Sequence, residues 1–271
     1  MIVRSLALLS LALLSLSAAA ETLRIERLTW AGAKISNERA TVFVDAVGTD
    51  LWNGEAPQGL VPVTADTRLR FALLTHLHND HFDAATLSEV LGERGSVICA
   101  ESAATYVASR GLRVIPARLW EPQMRGGFVF TALPAADGFG DEQVSWLIQH
   151  QQTRILHAGD SLWHGQWGLI GAQFGPIDVA FLPINGAMVA TRPSTRSSAV
   201  MTPQQAVDAA RLLGVRSAVP IHFGLNSPPN YVEVDNPLQT FLELAAEQEL
   251  TVQPLRPGEL WQAPQTPEAG S

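Results

Sequence analysis

Residues 75–83 read THLHNDHFD, which puts three of the chain's seven histidines and two aspartates within nine positions. The preceding run Arg70-Phe-Ala-Leu-Leu-Thr75 is apolar and of strand length, so the histidines begin where a strand gives way to a loop. A sheet fixes the backbone at such a place, and the loop leaves the imidazoles free to converge. His76 and His78, two apart in extended backbone, point to the same side. Asp80 and His81 fall on the turn that follows, where they can serve a neighbouring position. A solvated polar loop is the alternative, but three histidines and an aspartate rarely meet at this spacing without a ligand to hold.

Two distant stretches end apolar strands in the same manner. Ile155-Leu-His-Ala-Gly-Asp160 presents Asp160 after a glycine, and Val219-Pro-Ile-His222 presents His222. Each alone reads as a turn residue. Together with residues 75–83 they read as one metal site assembled from several strand ends.

The 271 residues are 46% hydrophobic and 16% charged, enough to bury the core of one large α/β domain. The formal charge of -8, with no Lys/Arg stripe, excludes a phosphate-neutralising surface and hence nucleic acid as a partner. Residues 1–20 carry one early cation, a Leu/Ala/Ser run and small residues at Ala18 and Ala20. They read as a cleaved secretory signal, placing the mature protein in the periplasm or medium with no stable membrane insertion. Cys99, the single cysteine, lies in apolar Ser96-Val-Ile-Cys-Ala100 and reads as a buried thiol.

Further strands are expected at 41–45, 96–100, 127–133, 178–182 and 217–221, and a hairpin at 143–148 and 154–157. A helix is expected from Thr202, with Pro203 at its first position and Gln205 placed for a capping box, to Gly214. Others are expected from Asn236-Pro237 to about Leu250, and over 103–109. Residues 21–262 form one domain, and the Pro/Gln/Gly-rich tail 263–271 reads as disordered.

HxHxDH after a strand, then a strand ending in Gly-Asp, then a late strand ending in His resembles the metallo-β-lactamase superfamily over nearly the whole mature chain. Leu28-Thr-Trp-Ala-Gly32 with Val42-Phe-Val-Asp45 resembles its first hairpin. Gly175-Pro-Ile-Asp-Val-Ala-Phe-Leu-Pro183 and Met201-Thr-Pro-Gln-Gln-Ala206 narrow the likeness. They are similar to the branch holding L-ascorbate-6-phosphate lactonase and N-acylphosphatidylethanolamine phospholipase D type enzymes. The resemblance implies an α/β (α+β) four-layer αββα sandwich with metals at one edge of the sheets. It assigns His76 and His78 to a first divalent ion, Asp80, His81 and His222 to a second, and Asp160 to a bridge between them. Asp83 either supports a ligand histidine or caps a helix at Ala84. The branch normally adds a first-site histidine in Pro-Ala-x-His, where this chain reads Pro134-Ala-Ala-Asp137. Asp137 is therefore either a carboxylate ligand or a turn residue beside Gly138. Zn leads as the metal, and an anionic site would move preference towards Mn or Fe.

Two such ions lower the pKa of a shared water and polarise the oxygen under attack. The expected activity is hydrolysis of an ester, lactone or phosphodiester in a small-molecule or lipid-derived substrate, with Asp80 orienting the water and passing a proton. Alternatives are a β-lactamase-type amide hydrolase, a mono-iron redox enzyme and a non-catalytic metal-binding protein. Trp163, His164 and Trp167 follow the bridging aspartate and are placed to line the entrance, although His164 also reads as a surface histidine. Arg192 and Arg196 either bind an anionic substrate or sit on a surface loop. The remaining tryptophans, Trp30 and Trp146 among them, read as core residues.

Overall fold

The computed structural model describes residues 22–52, 58–190 and 198–263. The expected leader 1–20, Arg192, Arg196 and tail residues 264–271 lie outside them.

Along the strands, alternate side chains enter two different cores. Val42 and Val44 of β3 (Ala40–Val44) pack between the sheets, while Phe43 between them packs with helices on the outer face. Val179 and Phe181 of β11 (Val179–Pro183) alternate with Ala180 and Leu182 in the same way. A strand buried on both faces has no reason to alternate with polar residues, which is why these segments read as continuous apolar runs.

One six-stranded sheet has the order β1 (Arg24–Arg27), β2 (Ala33–Ser36), β3, β4 (Leu69–Leu73), β5 (Ser96–Ala100), β6 (Val114–Ala117). The first three strands are antiparallel and β3 to β6 run parallel. The other sheet has the order β13 (Ala218–Ile221), β11, β10 (Thr153–His157), β9 (Val144–His150), β8 (Phe128–Pro134), β7 (Pro122–Arg125). There β10, β11 and β13 run parallel. A short ribbon pairs β12 (Met188–Val189) with β14 (Tyr231–Val232).

Helices α1 (Ala84–Leu91) and α2 (Ala104–Ser109) contribute to the core outside the first sheet. Helices α3 (Trp167–Phe174), α4 (Pro203–Leu213) and α5 (Pro237–Glu247) do so outside the second. The four layers of the αββα sandwich are therefore present. Among the described residues no helix is long and apolar enough to cross a membrane.

Several expectations need adjustment. Residues 28–32 form the turn between β1 and β2, closed by Leu28 N–H on Gly32 O at 2.8 Å. The edge strands β6 and β7 each contain a proline, which an edge tolerates because one side of its ladder is unpaired. That proline also hid them from a pattern search. Helix α3 was unforeseen, and Trp167, expected at the entrance, begins it and is fully buried. Helix α5 stops at Glu247, three residues short of the expected end. Helix α4 has the capping box: Thr202 Oγ1 accepts from Gln205 N–H, and Gln205 Oε1 accepts from Thr202 N–H.

Candidate metal centre

The parallel strands of both sheets open at one edge of the sandwich, and the ligand-type residues lie just past their C-terminal ends. Asp45 follows β3, residues 76–81 follow β4, Asp160 follows β10 and His222 follows β13. The sheets are tied together beneath this edge, where Trp146 Nε1 of one donates to Leu74 O of the other at 2.9 Å. Val144 N–H donates to Thr75 O at 3.0 Å. The turn at Asp160 needs its glycine, because Gly159 has φ +60° and a Cβ there would lie 2.8 Å from Thr75.

Asp160 sits at the centre. Its Oδ1 is 3.0 Å from His81 Nε2, and its Oδ2 is 2.9 Å from His222 Nε2 and 3.9 Å from His76 Nε2. Asp80 Oδ2 stands 3.7 Å from both His81 Nε2 and His222 Nε2. Two donor groups result, Asp80/His81/Asp160/His222 and His76/His78/Asp160, each with its ligand atoms within 4.8 Å of one another. Ligands ~2.1 Å from one cation stand up to about 4.2 Å apart, so small inward shifts satisfy coordination. Asp160 belongs to both groups.

A buried layer behind the cluster sets the imidazole tautomers. Asp45 Oδ2 faces His81 Nδ1 at 2.9 Å and also accepts the Thr75 hydroxyl at 2.6 Å. With its proton on Asp45, Thr75 Oγ1 accepts from His76 Nδ1–H at 2.9 Å. Both rings therefore hold Nε2, the nitrogen available for ligation, on the side of Asp160. Asp83, in contrast, caps α1: it accepts from the N–H groups of Ala85 and Thr86 at 3.1 and 3.2 Å, and from Gly48 N–H at 3.0 Å. Of its two sequence readings the helix cap is the one its hydrogen bonds make, and the carboxylate supporting a histidine is Asp45. That residue escaped notice because it lies in a separate strand, thirty-six positions from His81.

Trp30 serves the cluster as well as the core. Its Nε1 donates to Asp80 Oδ2 at 3.1 Å, and its ring lies 4.2 Å from that of His222. Trp30, Asp45 and His222 all have positive φ (58°, 43° and 54°), a conformation costing each non-glycine residue about 1 kcal/mol or more. Three of the eight non-glycine residues with positive φ among the described residues thus lie around this one cluster.

The electrostatics suit a cation. Burial alone would raise the carboxyl pKa of Asp160, but His222 and His81 outweigh it and hold the group well below the usual range. Asp80 is likewise lowered against its burial by His81 and His222. Burial opposes charge on His222, yet Asp160 and Asp80 raise it to about 9; His81 is raised for the same reason. Burial, aided by the neighbouring His81, lowers His76 to about 3. Asp160 and Asp80 thus favour positive charge at this place. Buried His81 Nε2, His222 Nε2 and Asp160 Oδ1 have no hydrogen-bond partner of acceptable geometry. Atoms so costly to bury unpaired fit a divalent ion, so the donor set passes the test of chemistry.

Around His78 the arrangement departs from the sequence reading. His76 Nε2 and His78 Nδ1 face each other at 2.9 Å, a contact that a proton or cation must occupy. Asp137 Oδ2 accepts from Phe139 N–H at 2.6 Å and Asp141 N–H at 3.1 Å, which is turn chemistry. That turn carries Asp141 to His78 Nε2, with Oδ2 at 2.9 Å. His78, Asp137 and Asp141 form a third donor group. Asp141 was not anticipated, because no motif spacing marks it.

A cavity of about 350 Å³ lies over the cluster, with His78, Asp80, Asp160 and His222 on its floor. Phe139, Val189 and Tyr231 form part of its walls. Trp163 and His164 do not line it; His164 stacks on buried Trp167 at 4.2 Å, and burial lowers its pKa to about 4. Tyr231 is the polar wall residue that sequence reasoning missed. Burial, reinforced by the charges of Asp160, Asp80 and Glu233 and opposed by Asn185, keeps its phenol protonated far above neutral pH. A second cavity of about 300 Å³ adjoins His76 and His78 on the other side, with Cys99 and Ser102 in its wall. Cys99 is otherwise the buried thiol expected, raised to about 11 by that burial.

Residues 40–223 match the Beta-lactamase superfamily domain. A UPF0173 metal-dependent hydrolase of Rubrobacter xylanophilus is 34% identical over 166 residues, 56% of this chain and 63% of that protein's length. Another from Thermus thermophilus is 30% identical over 216 residues, covering 77% of this chain and 85% of the relative. Among solved structures, Igni18, a metallo hydrolase of the archaeon Ignicoccus hospitalis, superposes with a TM-score of 0.67 at 18% identity, covering 88% of this chain and 97% of that one. That last likeness concerns the fold. With one carboxylate common to two donor groups and this match to the sequence, the chain belongs to the metallo-β-lactamase superfamily and, within it, to the UPF0173 family of metal-dependent hydrolases.

Proposed function

We propose that the protein is an exported hydrolase with two divalent ions, zinc ahead of manganese or iron, that cleaves an ester, lactone or phosphodiester in a small-molecule or lipid-derived substrate. The observation that carries this reading is the position of Asp160, one carboxylate common to the His76/His78 group and the Asp80/His81/His222 group. Divalent ions held there would supply Lewis acidity and lower the pKa of bound water. His76, His78, His81, His222, Asp80 and Asp160 are the ligands in this reading, and Asp141 or Asp137 completes the first position.

The chain's own residues supply the rest. Asp80 is held by Trp30 with its carboxylate at the cavity floor, and its lowered pKa keeps it ionised at neutral pH. In this reading the Asp80 carboxylate orients the attacking water and relays a proton from it to the departing oxygen. Asp45 and Thr75 engage the Nδ1 atoms of His81 and His76 and so orient their Nε2 atoms for ligation. Arg192, outside the described residues, is the proposed contact for any anionic part of the substrate, and Trp163 and His164 remain candidates only at the outer entrance. The likeness of Pro220-Ile-His222 and Met201-Thr-Pro to the lactonase and phospholipase D type branch supports lactones and phosphodiesters as the first substrates to try. The leader-like residues 1–20 support export.

The test is turnover of a panel of p-nitrophenyl esters, simple lactones, bis-p-nitrophenyl phosphate and a β-lactam by protein loaded with Zn, Mn or Fe. The reading expects hydrolysis in at least one of the first three classes, lost in His78→Ala. Preference for the β-lactam, or oxygen consumption with one iron per chain, would replace it.

A further inference from the structure

We propose that Tyr231 is a catalytic residue whose hydroxyl donates a hydrogen bond to the substrate oxygen that gains negative charge during attack, and that Asn185 and Glu233 are its positioning residues. The proposal deepens the hydrolase reading and rests on it.

The direction of the hydrogen bonds carries the argument. Asn185 Oδ1 accepts from Ala187 N–H at 3.1 Å, which fixes the flip of the side-chain amide. Its Nδ2 then faces Glu233 Oε1 at 3.0 Å and Tyr231 Oη at 2.7 Å. Glu233 is a carboxylate that accepts from Gly224 N–H and Leu225 N–H, so it takes one amide proton of Asn185. The other goes to Tyr231. The phenol oxygen is therefore an acceptor in this contact, and its own proton remains to be donated. Among the described residues no acceptor takes that proton.

The place where it can be given is the cavity over the cluster. Tyr231 lines that space together with Asp80, Asp160 and His222. Its strand β14 is paired with β12 through Val189, itself a cavity wall residue. Glu233, two residues on and buried, grips the backbone just past His222. One carboxylate thus sets both the loop that carries a ligand-type histidine and the amide that orients the phenol. A neutral donor fixed before substrate arrives acts most strongly where charge develops in a water-poor site. Tyrosine suits an acidic cluster of this kind, because it brings a donor without adding a charge.

Two measurements on the full-length, zinc-loaded protein test this. The first is binding of methylphosphonate, a tetrahedral oxyanion, by calorimetry. Tyr231→Phe is expected to weaken it about 10-fold while metal content and melting temperature stay as in the unmodified protein; equal affinity in both proteins overturns the proposal, whatever the natural substrate. The second is turnover of a substrate from the panel. Tyr231→Phe is expected to lower kcat by ~10²-fold with little change in KM, the size seen for loss of one oxyanion donor. Asn185→Ala should lower kcat too, and add nothing in the Tyr231→Phe background. A penalty that vanishes for p-nitrophenolate and grows with poorer leaving groups would move the hydroxyl to the leaving oxygen and overturn the assignment. Failure of the unmodified protein to hydrolyse anything would count against the hydrolase reading alone, since methylphosphonate binding is read separately.

Discussion

Asp45 Oδ2 lies 2.9 Å from His81 Nδ1, and both side chains are fully buried. The same oxygen accepts the Thr75 hydroxyl, which in turn orients His76. One carboxylate that touches neither cavity nor substrate thus sets two imidazoles.

It follows that Asp45→Asn weakens metal binding. An amide oxygen in the place of Oδ2 leaves its NH2 facing the Thr75 N–H that Asp45 Oδ1 accepts at 2.9 Å, and loss of such a partner typically costs 10- to 100-fold in affinity. Asp83→Ala, by removing the α1 cap and the Gly48 N–H contact, should cost about 1 kcal/mol of stability and leave zinc affinity unchanged. Chelator competition and urea unfolding on both variants separate the two roles. An Asp83 variant that loses zinc affinity would contradict the assignment.

Asp141 and Asp137 should also behave differently. Asp141→Asn removes the charge 2.9 Å from His78 Nε2 and is expected to weaken one of two zinc-binding steps about 10-fold. Asp137→Asn leaves an amide oxygen that can accept from Phe139 and Asp141 N–H as before, so both steps should persist. Titration calorimetry on apo-protein reads the two steps, and the reverse ranking would make Asp137 the ligand.

His157 predicts a pH dependence of stability. It donates from Nε2 to Ala31 O at 2.8 Å and accepts at Nδ1 from Gly159 N–H at 3.2 Å, so it is neutral. Burial lowers its pKa below 6.5, with Asp45 opposing. Below pH ~6.5 the unfolded chain binds a proton that the folded chain refuses, so this contribution is present above 6.5 and falls as pH drops through the folded pKa. One proton gives a slope of at most about 1.4 kcal/mol per pH unit. His76, lowered to about 3, acts with the same sign, whereas His222, raised to about 9, loses its contribution as pH rises between 6.5 and 9. The difference between unmodified protein and His157→Gln isolates His157: urea unfolding of apo-protein from pH 6.5 to 5 should fall less steeply in the variant. Parallel slopes would contradict it.

The parts of this molecule legible in its sequence are those where a local pattern states a physical requirement. Doubly buried strands such as β11 are apolar throughout, and α4 announces itself through Thr202, Pro203 and Gln205. THLHNDHFD was legible because its residues meet within one loop. Asp45 and Tyr231 were not, because their work depends on partners in other strands, and nothing around them in the sequence says so. Edge strands β6 and β7 were obscured by prolines that an edge permits. Trp30 was read as core, and its buried ring is; its Nε1 contact with Asp80 arises from the turn at positive φ.

The central claim is that Asp160 serves two metal positions at once. Metal analysis of freshly purified protein, beside Asp160→Asn prepared identically, tests it most directly. The account predicts two divalent ions per chain in the unmodified protein and loss of most of both in the variant. A single ion in the unmodified protein, or two retained without the Asp160 carboxylate, would contradict it.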